Sequence, residues 1–395
     1  MTEPRMNRPG LALLSLGHFA VDVNQGVLPA LLPVLFLDLN MNYASAAFVI
    51  TVANLTSSIV QPIFGVVADK WRAAWLLPFG CFVACGSLAF ASIAPSYPLL
   101  LLLVISMGLG NAIYHPESTR TANSFAGARR ATGMALFIVG GNLGLAVGPV
   151  AIGVLVAYFG RPGGLGLLVL AVLVPLLFLG LPRSYSSAES PATSRGRTVS
   201  VTPQRSSRLA MVLLVAVVVF RQWAQFGLVT FVPLYFVNFL GESSLLANSL
   251  LSALFFGSVV GTLLGGPIAD RWGRKPTLSG SLFGAAALLL VFSQTSGLAA
   301  MAAIFTAGVI MLMSSSVATV IGQELMPHRT GLAASLTVGF AAGIAGLGNA
   351  ALGRVADEIG LVPVLLVVCL LPLPGALLSL ILPDTYRRAP SLKAV

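Results

Sequence analysis

The sequence contains few charged residues: they make up 9% of its 395 residues, whereas hydrophobic residues make up 57%. Soluble domains carry roughly a quarter charged residues, so this chain lacks the polar side chains that would cover a folded surface in water. Cysteine is scarce as well. Cys81, Cys85 and Cys369 lie in apolar segments without neighbouring histidine or acidic residues, which favours small buried hydrophobes over a metal site. We therefore expect a membrane protein without a bound metal or other cofactor.

Uncharged apolar stretches long enough to span a bilayer, which takes roughly 20 residues, recur along the whole chain. They predict two sets of six transmembrane helices, at 10–37, 45–68, 74–93, 97–121, 131–158 and 163–181, then at 208–239, 246–269, 276–294, 298–323, 330–353 and 361–382. The segment between the sets is rich in serine, arginine and proline and predicts a flexible linker. We expect an all-α integral membrane protein with an N-terminal bundle at 1–182, a linker at 183–207 and a C-terminal bundle at 208–395.

The net charge of +10 arises from 22 lysine and arginine residues against 12 acidic ones. Nineteen of the 22 fall on one side of the predicted membrane, Arg161 and Arg354 fall in loops on the other side, and Arg221 lies within a span. This positive-inside pattern predicts that both termini are cytoplasmic and favours an even number of spans. The basic excess therefore reflects topology, and nucleic acid is not an expected partner.

The two halves carry the same loop motif. Residues 65–71 read GVVADKW and residues 266–272 read GPIADRW, an offset of 201. The fifth and eleventh segments also both open with Thr-Gly, at 132–133 and 330–331. Weak internal repeats are typical of secondary transporters, whose substrate sites lie near mid-membrane between the repeats. Receptors and membrane anchors need no such duplication, so the repeats favour a transporter.

Asp69 and Asp270, one in each copy of the loop motif, end predicted helices, where the helix dipole disfavours a carboxylate. Each needs a partner such as a helix N-terminus or an arginine, and a contact made in only one conformation would act as a cytoplasmic latch. In the fifth segment, Gly148 and Pro149 favour a moving helix over close packing alone. The predicted gating residues are Gly65, Asp69, Lys70, Gly266, Asp270, Arg271, Arg274, Gly148 and Pro149.

Ionisable residues inside predicted spans are expensive to bury and are interpreted as functional. Burial favours the neutral form of a carboxyl group, and histidine titrates near neutral pH, so both can couple protonation to a conformational change. We predict that Asp22, His115, Glu117 and His18 carry protons and that Arg120 modulates Glu117. Alternatively, Glu117–Arg120 is a structural ion pair and His18–Asp22 a fixed hydrogen-bonded pair.

Arg221 interrupts the seventh apolar segment and is the candidate attractor of an anionic solute, unless it neutralises Asp22 or Glu117. Other polar and aromatic side chains in the predicted spans are candidates to bind the solute with it. These are Asn142, Gln25, Gln222, Trp223 and Tyr114.

The duplicated loop motif and the glycine-rich fifth segment resemble the major facilitator superfamily and its antiporter motif. The N-terminal half is similar to the fosmidomycin-resistance group of bacterial exporters in GHFAVD at 17–22, HPESTR at 115–120 and GGN at 140–142. The first loop motif departs from the family pattern because Gly-Arg does not follow Trp71, which predicts a weaker latch there. The resemblance implies two six-helix bundles around a central cavity, alternating access, and proton-driven export across a bacterial cytoplasmic membrane.

We predict a proton-coupled antiporter that exports a small drug-like or anionic compound and works as a monomer in the bilayer. A proton symporter that imports an organic acid or sugar would use the same residues, and the scaffold would also suit an amphiphile or lipid transporter. An enzyme is not expected, because the sequence shows no paired-metal, nucleophile–base or phosphate-loop pattern on one membrane face.

Overall fold

The structure is a computed structural model that describes residues 6–71, 75–127, 130–179, 206–326, 333 and 335–384. Within these ranges the chain is helical and contains no β-strand. Most of the predicted linker, residues 183–205, lies outside the described residues.

The first half contains six membrane helices. They are α1 (Arg8–Asp38), α2 (Tyr43–Trp71), α3 (Leu76–Ala91), α4 (Tyr97–Phe125), α5 (Arg130–Phe159) and, after a 3₁₀ segment at Arg161–Leu167, α6 (Leu168–Leu179).

The second half repeats this organisation. It contains α7 (Ser206–Leu234), which continues as a π-helical turn at Tyr235–Phe239, then α8 (Ser244–Trp272), α9 (Arg274–Ser293) and α10 (Gly297–Leu325). A π-helical segment, Ser335–Phe340, leads into α11 (Ala341–Ile359), and α12 (Leu361–Leu370) with α13 (Pro372–Ser379) forms the last crossing.

Ten helices of the described chain are long and apolar enough to cross a bilayer. The other two crossings are α3, which is apolar but shorter, and α11, whose last turns carry charge. The predicted all-α membrane fold with two sets of six helices is confirmed.

The prediction that the eleventh helix ends at residue 353 is wrong, because α11 continues to Ile359. It ends where Gly360 adopts a φ of 88°, a left-handed conformation that suits glycine. Arg354 is therefore helical, and it pairs with Glu358 one turn further on, Nε to Oε1 3.4 Å. The charge of Arg354 indicated a loop. Charged residues one turn apart, such as Arg354 and Glu358, are also compatible with the end of a helix that extends out of the lipid.

Close helix packing in both halves depends on glycine. Gly140 and Gly144 of α5 face the backbone carbonyls of Ser15 and Phe19 in α1, so a Cβ at either position would clash. In the second half, glycines of α8 face α10 carbonyls in the same way. Small residues let membrane helices approach at backbone distance, and α1 is held along α5 in this manner.

The halves meet through α2 with α11 and through α5 with α8. We call the membrane face at which α1 begins the near side and the face at which α1 ends the far side. Hydrogen bonds between the halves lie in the far half of the structure, for example from Thr51 Oγ1 of α2 to the Gly346 carbonyl of α11, 2.8 Å.

Candidate functional site

A cavity of about 330 Å³ lies between the two halves. Its walls come from α1, α2, α4 and α5 of the first half and from α7 and α8 of the second. The hydrogen bonds that join the halves lie at the far side of the cavity, and its polar end points to the near side. Its far end is apolar and includes Pro29, Ile50, Met107, Val229 and Phe255. Its near end carries amide, hydroxyl and imidazole groups from Gln25, Asn54, Ser57, Ser58, Gln61, Asn111, His115 and Gln225.

Much of the polar lining was missed from the sequence. Asn54, Ser57 and Gln61 follow one another at helical spacing along α2, so they share one face, and Asn111 lies one turn before His115 on α4. A polar residue repeated every three or four positions in an apolar span was the available signal.

His115 connects the cavity to a cluster of three titratable side chains. Its Nε2 lies 3.3 Å from Asp22 Oδ1, and His18 Nε2 lies 3.1 Å from Asp22 Oδ2. Gln25, which also lines the cavity, donates a hydrogen bond to Asp22 Oδ1 at 3.1 Å. The structure thus unites candidates from the first and fourth spans, and the contact between Asp22 and His115 could not be read from either span alone.

Hydrogen bonding limits how the protons of this cluster can be arranged. His18 Nδ1 lies 2.9 Å from the Phe137 carbonyl oxygen, which can only accept, so Nδ1 carries a hydrogen. The other ring nitrogen, Nε2, faces Asp22 Oδ2. If His18 were neutral and Asp22 ionised, two lone pairs would face each other across this contact. Without a metal ion at this position, the contact is favourable only when a proton lies between His18 and Asp22, which means either a cationic imidazole or a neutral carboxyl group.

Helix α5 presses against this cluster at Gly141. A Cβ at Gly141 would lie 2.5 Å from both Asp22 Oδ2 and His18 Nε2. Further along α5, Gly148 faces the Val23 carbonyl of α1, and the Pro149 ring lies beside Gly26. Movement of α5 along α1 therefore changes the surroundings of the protonated pair.

Glu117 is completely buried and paired with Arg120. Arg120 Nε donates to Glu117 Oε2 at 3.0 Å, Arg120 Nη2 donates to Oε1, and Thr121 Oγ1 donates to Oε1 at 3.2 Å. This is a two-pronged, charge-assisted pair, and neither side chain lines the cavity. The two side chains therefore form an ion pair, and whether it is structural or carries protons stays open between the two predictions.

Arg221 of α7 is 5% exposed, and its Nε has no hydrogen-bond partner. Its Nη1 lies 3.5 Å from Oε1 of Gln225, and Gln225 lines the cavity whereas Arg221 does not. Arg221 forms no salt bridge with an acidic residue in the described part of the chain. Asp22 and Glu117 have other partners, so the guanidinium lies behind Gln225 without a counter-charge.

The other predicted solute ligands differ in whether their side chains line the cavity. Gln25 lines the cavity, whereas Asn142 and Gln222 do not, and Gln222 Oε1 is buried without a partner. Tyr114 is buried and donates to the Leu14 carbonyl, 3.1 Å. The Trp223 ring packs where a Cβ of Gly348 in α11 would lie.

The predicted gating residues of the first loop motif, Gly65, Asp69 and Lys70, lie in the last turns of α2, and their side chains are outside the described part of the structure. In the second copy, Gly273 adopts a φ of 100° between α8 and α9. Arg274 then forms an ion pair with Glu324 of α10. The other members of this copy are Gly266, whose added Cβ would meet nothing within 4 Å, and Asp270 and Arg271, both in the last turn of α8.

Comparison with known proteins gives consistent matches along the chain. The family model of the Major Facilitator Superfamily matches residues 14–346. The fosmidomycin resistance protein of Escherichia coli (strain K12) is 31% identical over 391 residues, covering 98% of this chain and 96% of that protein. The uncharacterized MFS-type transporter YfnC of Bacillus subtilis (strain 168) is 28% identical over 398 residues, covering 98% and 97%.

Two solved structures show the same fold. A bacterial homologue of the human lysosomal transporter Spinster, in an inward-facing and occupied conformation, superposes with a TM-score of 0.80 at 14% identity, covering 99% of this chain and 100% of that one. The nucleoside transporter NupG superposes with a TM-score of 0.74 at 14% identity, covering 95% and 98%.

Proposed function

The chain belongs to the major facilitator superfamily, and from that premise we propose that it is a proton-coupled antiporter that exports a small drug-like or anionic compound by alternating access. The resemblance to the superfamily and to the fosmidomycin-resistance group is confirmed by these matches. The positive-inside pattern supports a cytoplasmic near side, so the cavity described above faces the cytoplasm. Export is favoured because the similar protein from Escherichia coli is named for resistance.

The contact between His18 Nε2 and Asp22 Oδ2, which is favourable when a proton lies between them, is the observation that carries the proposal. Loss of this proton leaves a neutral imidazole and a carboxylate with opposed lone pairs at 3.1 Å, and that contact is no longer favourable. The pair then separates, and Gly141 transmits the change to α5 because it leaves no space between the two helices. Since α5 also packs on α8 of the other half, protonation is linked to the relative position of the halves.

Exchange follows from the position of the cluster beside the polar end of the cavity. Asp22 Oδ1 is held by His115 and Gln25, and both line the cavity. A solute that donates a hydrogen bond to Asp22 in place of the proton would stabilise the carboxylate, so bound solute and the proton compete for the cluster. One site that holds either a proton or a solute, but not both favourably, is the requirement for antiport.

Arg221 supplies a positive charge to an anionic solute in this proposal. A buried guanidinium without a counter-ion is costly, and an anion at the near end of the cavity would offset that cost once Gln225 turns aside. The apolar far end of the cavity suits the non-polar part of a drug-like compound.

The test is compound-driven proton movement in proteoliposomes that contain a pH-sensitive dye, with a panel of phosphonates, organic acids and lipophilic drugs added outside. Antiport predicts that entry of one compound makes the lumen more alkaline, and that Asp22→Asn and His115→Gln lose the signal. Glu242→Gln, an exposed carboxylate outside the cavity, is the matched control. A chelator is included, because the ligating atoms of His18, Asp22 and His115 lie within 4.8 Å of one another and could hold a metal ion.

Two outcomes contradict the proposal. Acidification of the lumen during entry of the compound would establish proton symport, the import alternative. Compound movement that ignores both the pH gradient and the two substitutions would show a facilitator in which the cluster is structural.

A further inference from the structure

The N-terminus of α2 is capped by a residue from the other half of the protein. The Asp357 carboxylate of α11 accepts hydrogen bonds from the backbone N–H groups of Tyr43 (2.7 Å) and Ala44 (3.1 Å), the first two residues of α2. These residues are separated from Asp357 by more than 310 positions in the chain. The cap therefore joins the two halves directly.

Local sequence cannot supply these two hydrogen bonds. The first turn of a helix leaves four backbone N–H groups without partners and carries a partial positive charge. Asn42, the residue before α2, caps Ser45 N at 2.8 Å, which is the reach of an ordinary N-cap side chain. The N–H groups of Tyr43 and Ala44 remain, and Asp357 accepts from both with a negative charge that the dipole favours.

The cap lies at the outer end of a tight seam between α2 and α11. Gly353, one turn before Asp357, faces the Tyr43 carbonyl and Ala47, so a Cβ there would clash. Deeper along the seam, Thr51 donates to the Gly346 carbonyl. This seam closes the cavity on the far side, and it must open for a solute to leave there.

We infer that Asp357 is the latch of the far-side gate: its carboxylate holds the N-terminus of α2 while the cavity faces the near side and releases it when the far side opens. The inference rests on the alternating access of the proposed function, and it adds a residue and a contact that the loop motifs do not contain. Separation of α2 from α11 returns the carboxylate and two N–H groups to water. The strength of the cap therefore sets how often the far side opens.

The neighbouring acid provides a matched control. Glu358 lies one position further along α11, is also exposed and carries the same charge, but it pairs with Arg354 of its own helix. A general effect of negative charge at this membrane face would appear in both residues. An effect of capping α2 would appear in Asp357 alone.

The experiment measures opening of the far side in intact cells with a membrane-impermeant maleimide. Ala53→Cys places the reporter thiol in the cavity below the seam, and the three native cysteines are buried. We expect Asp357→Ala to raise the labelling rate about tenfold. Loss of a strong helix cap shifts the equilibrium between the closed and the open far side by about that factor, and the labelling rate follows the open fraction. Asp357→Asn, which keeps one acceptor oxygen, gives an intermediate rate, and Glu358→Gln labels like the parent.

An unchanged rate in Asp357→Ala, or an equal rise in Glu358→Gln, overturns the inference. Monodisperse elution of each variant in detergent shows that it is folded. Labelling needs neither a known solute nor a proton gradient, so a failure of antiport in proteoliposomes leaves this measurement valid. A failure of the latch likewise leaves the proton measurement valid.

Discussion

The two halves share a scaffold of helices and glycine contacts but differ in the ionisable residues that lie inside them. The first half holds His18, Asp22 and His115 in one cluster and Glu117 paired with Arg120. At an offset of 201, which is that of the loop motif, the positions corresponding to these five residues hold Val219, Trp223, Ser316, Ala318 and Ile321.

The second half instead buries one guanidinium, Arg221, at a position within two residues of the counterpart of Asp22. Duplication has therefore kept the architecture symmetric while the chemistry has become asymmetric. In our proposal the first half handles the proton and the second half attracts the solute. The difference explains why the cavity needs both halves, and the following substitutions test it.

Gly141→Ala is expected to have the largest effect, a decrease of about 100-fold in the rate of coupled transport. A displacement of about 1 Å at a reacting site has an effect of this size. The added methyl group would lie 2.5 Å from Asp22 Oδ2 and His18 Nε2 and push α5 away from the cluster. The matched control is Gly280→Ala in α9, where a Cβ meets nothing within 4 Å. Proton movement in proteoliposomes checks this, and equal activity of both variants would contradict a role of the α1–α5 contact.

Arg120→Gln is expected to lower the free energy of unfolding by about 3–5 kcal/mol, because it leaves the buried Glu117 carboxylate without its partner. Thermal unfolding in detergent measures the effect. The double variant Arg120→Gln with Glu117→Gln should recover most of the loss if the pair is structural. A stable single variant that instead loses proton movement would assign Glu117 to proton carriage.

Arg221→Gln tests an arginine that, unlike Arg120, pairs with no acidic residue in the described part of the chain. Because no described acid pairs with Arg221, its removal leaves no buried counter-charge, and we expect thermal stability to stay equal or to rise. Binding of an anionic compound should weaken about tenfold, while binding of a neutral compound changes little. Isothermal titration with one compound of each kind distinguishes the two, and equal losses for both would remove the charge argument.

Asn54→Ala is expected to have the smallest effect, a loss of about threefold in affinity, the size of one hydrogen bond to a neutral solute group. Asn123→Ala, an exposed amide on α4 outside the cavity, is the control. Binding affinity that is unchanged in Asn54→Ala would place the solute away from the polar face of α2.

The fold could be predicted because each feature behind it is local in the chain. A stretch of roughly 20 apolar residues predicts one crossing wherever its partners lie, and the internal repeats indicate paired halves. The one clear error, the end of α11 at Ile359, came from charged residues that a helix accommodates once it leaves the lipid. Asp357 was missed for the same reason, since it was assigned to a loop.

The site was only partly predictable. His18 and Asp22 are one turn apart on a single helix, and Glu117 and Arg120 are similarly close, so sequence spacing was enough to pair them. The solute ligands were chosen by depth in the membrane, yet among Asn142, Gln25, Gln222, Trp223 and Tyr114 only Gln25 lines the cavity. Depth does not tell which side of a helix faces its neighbours.

The sequence by itself determined the number of crossings, the repeat between the halves, the family and the buried ionisable residues, because apolar length and motifs are properties of short segments. Only the tertiary structure decided that His115 joins Asp22, that Arg221 lies behind Gln225 with no acidic partner among the residues described, and that Asp357 caps the opposite half. The contacts of His115 and Asp357 join segments roughly 90 and 310 positions apart, and which faces meet there depends on how the helices pack as a whole.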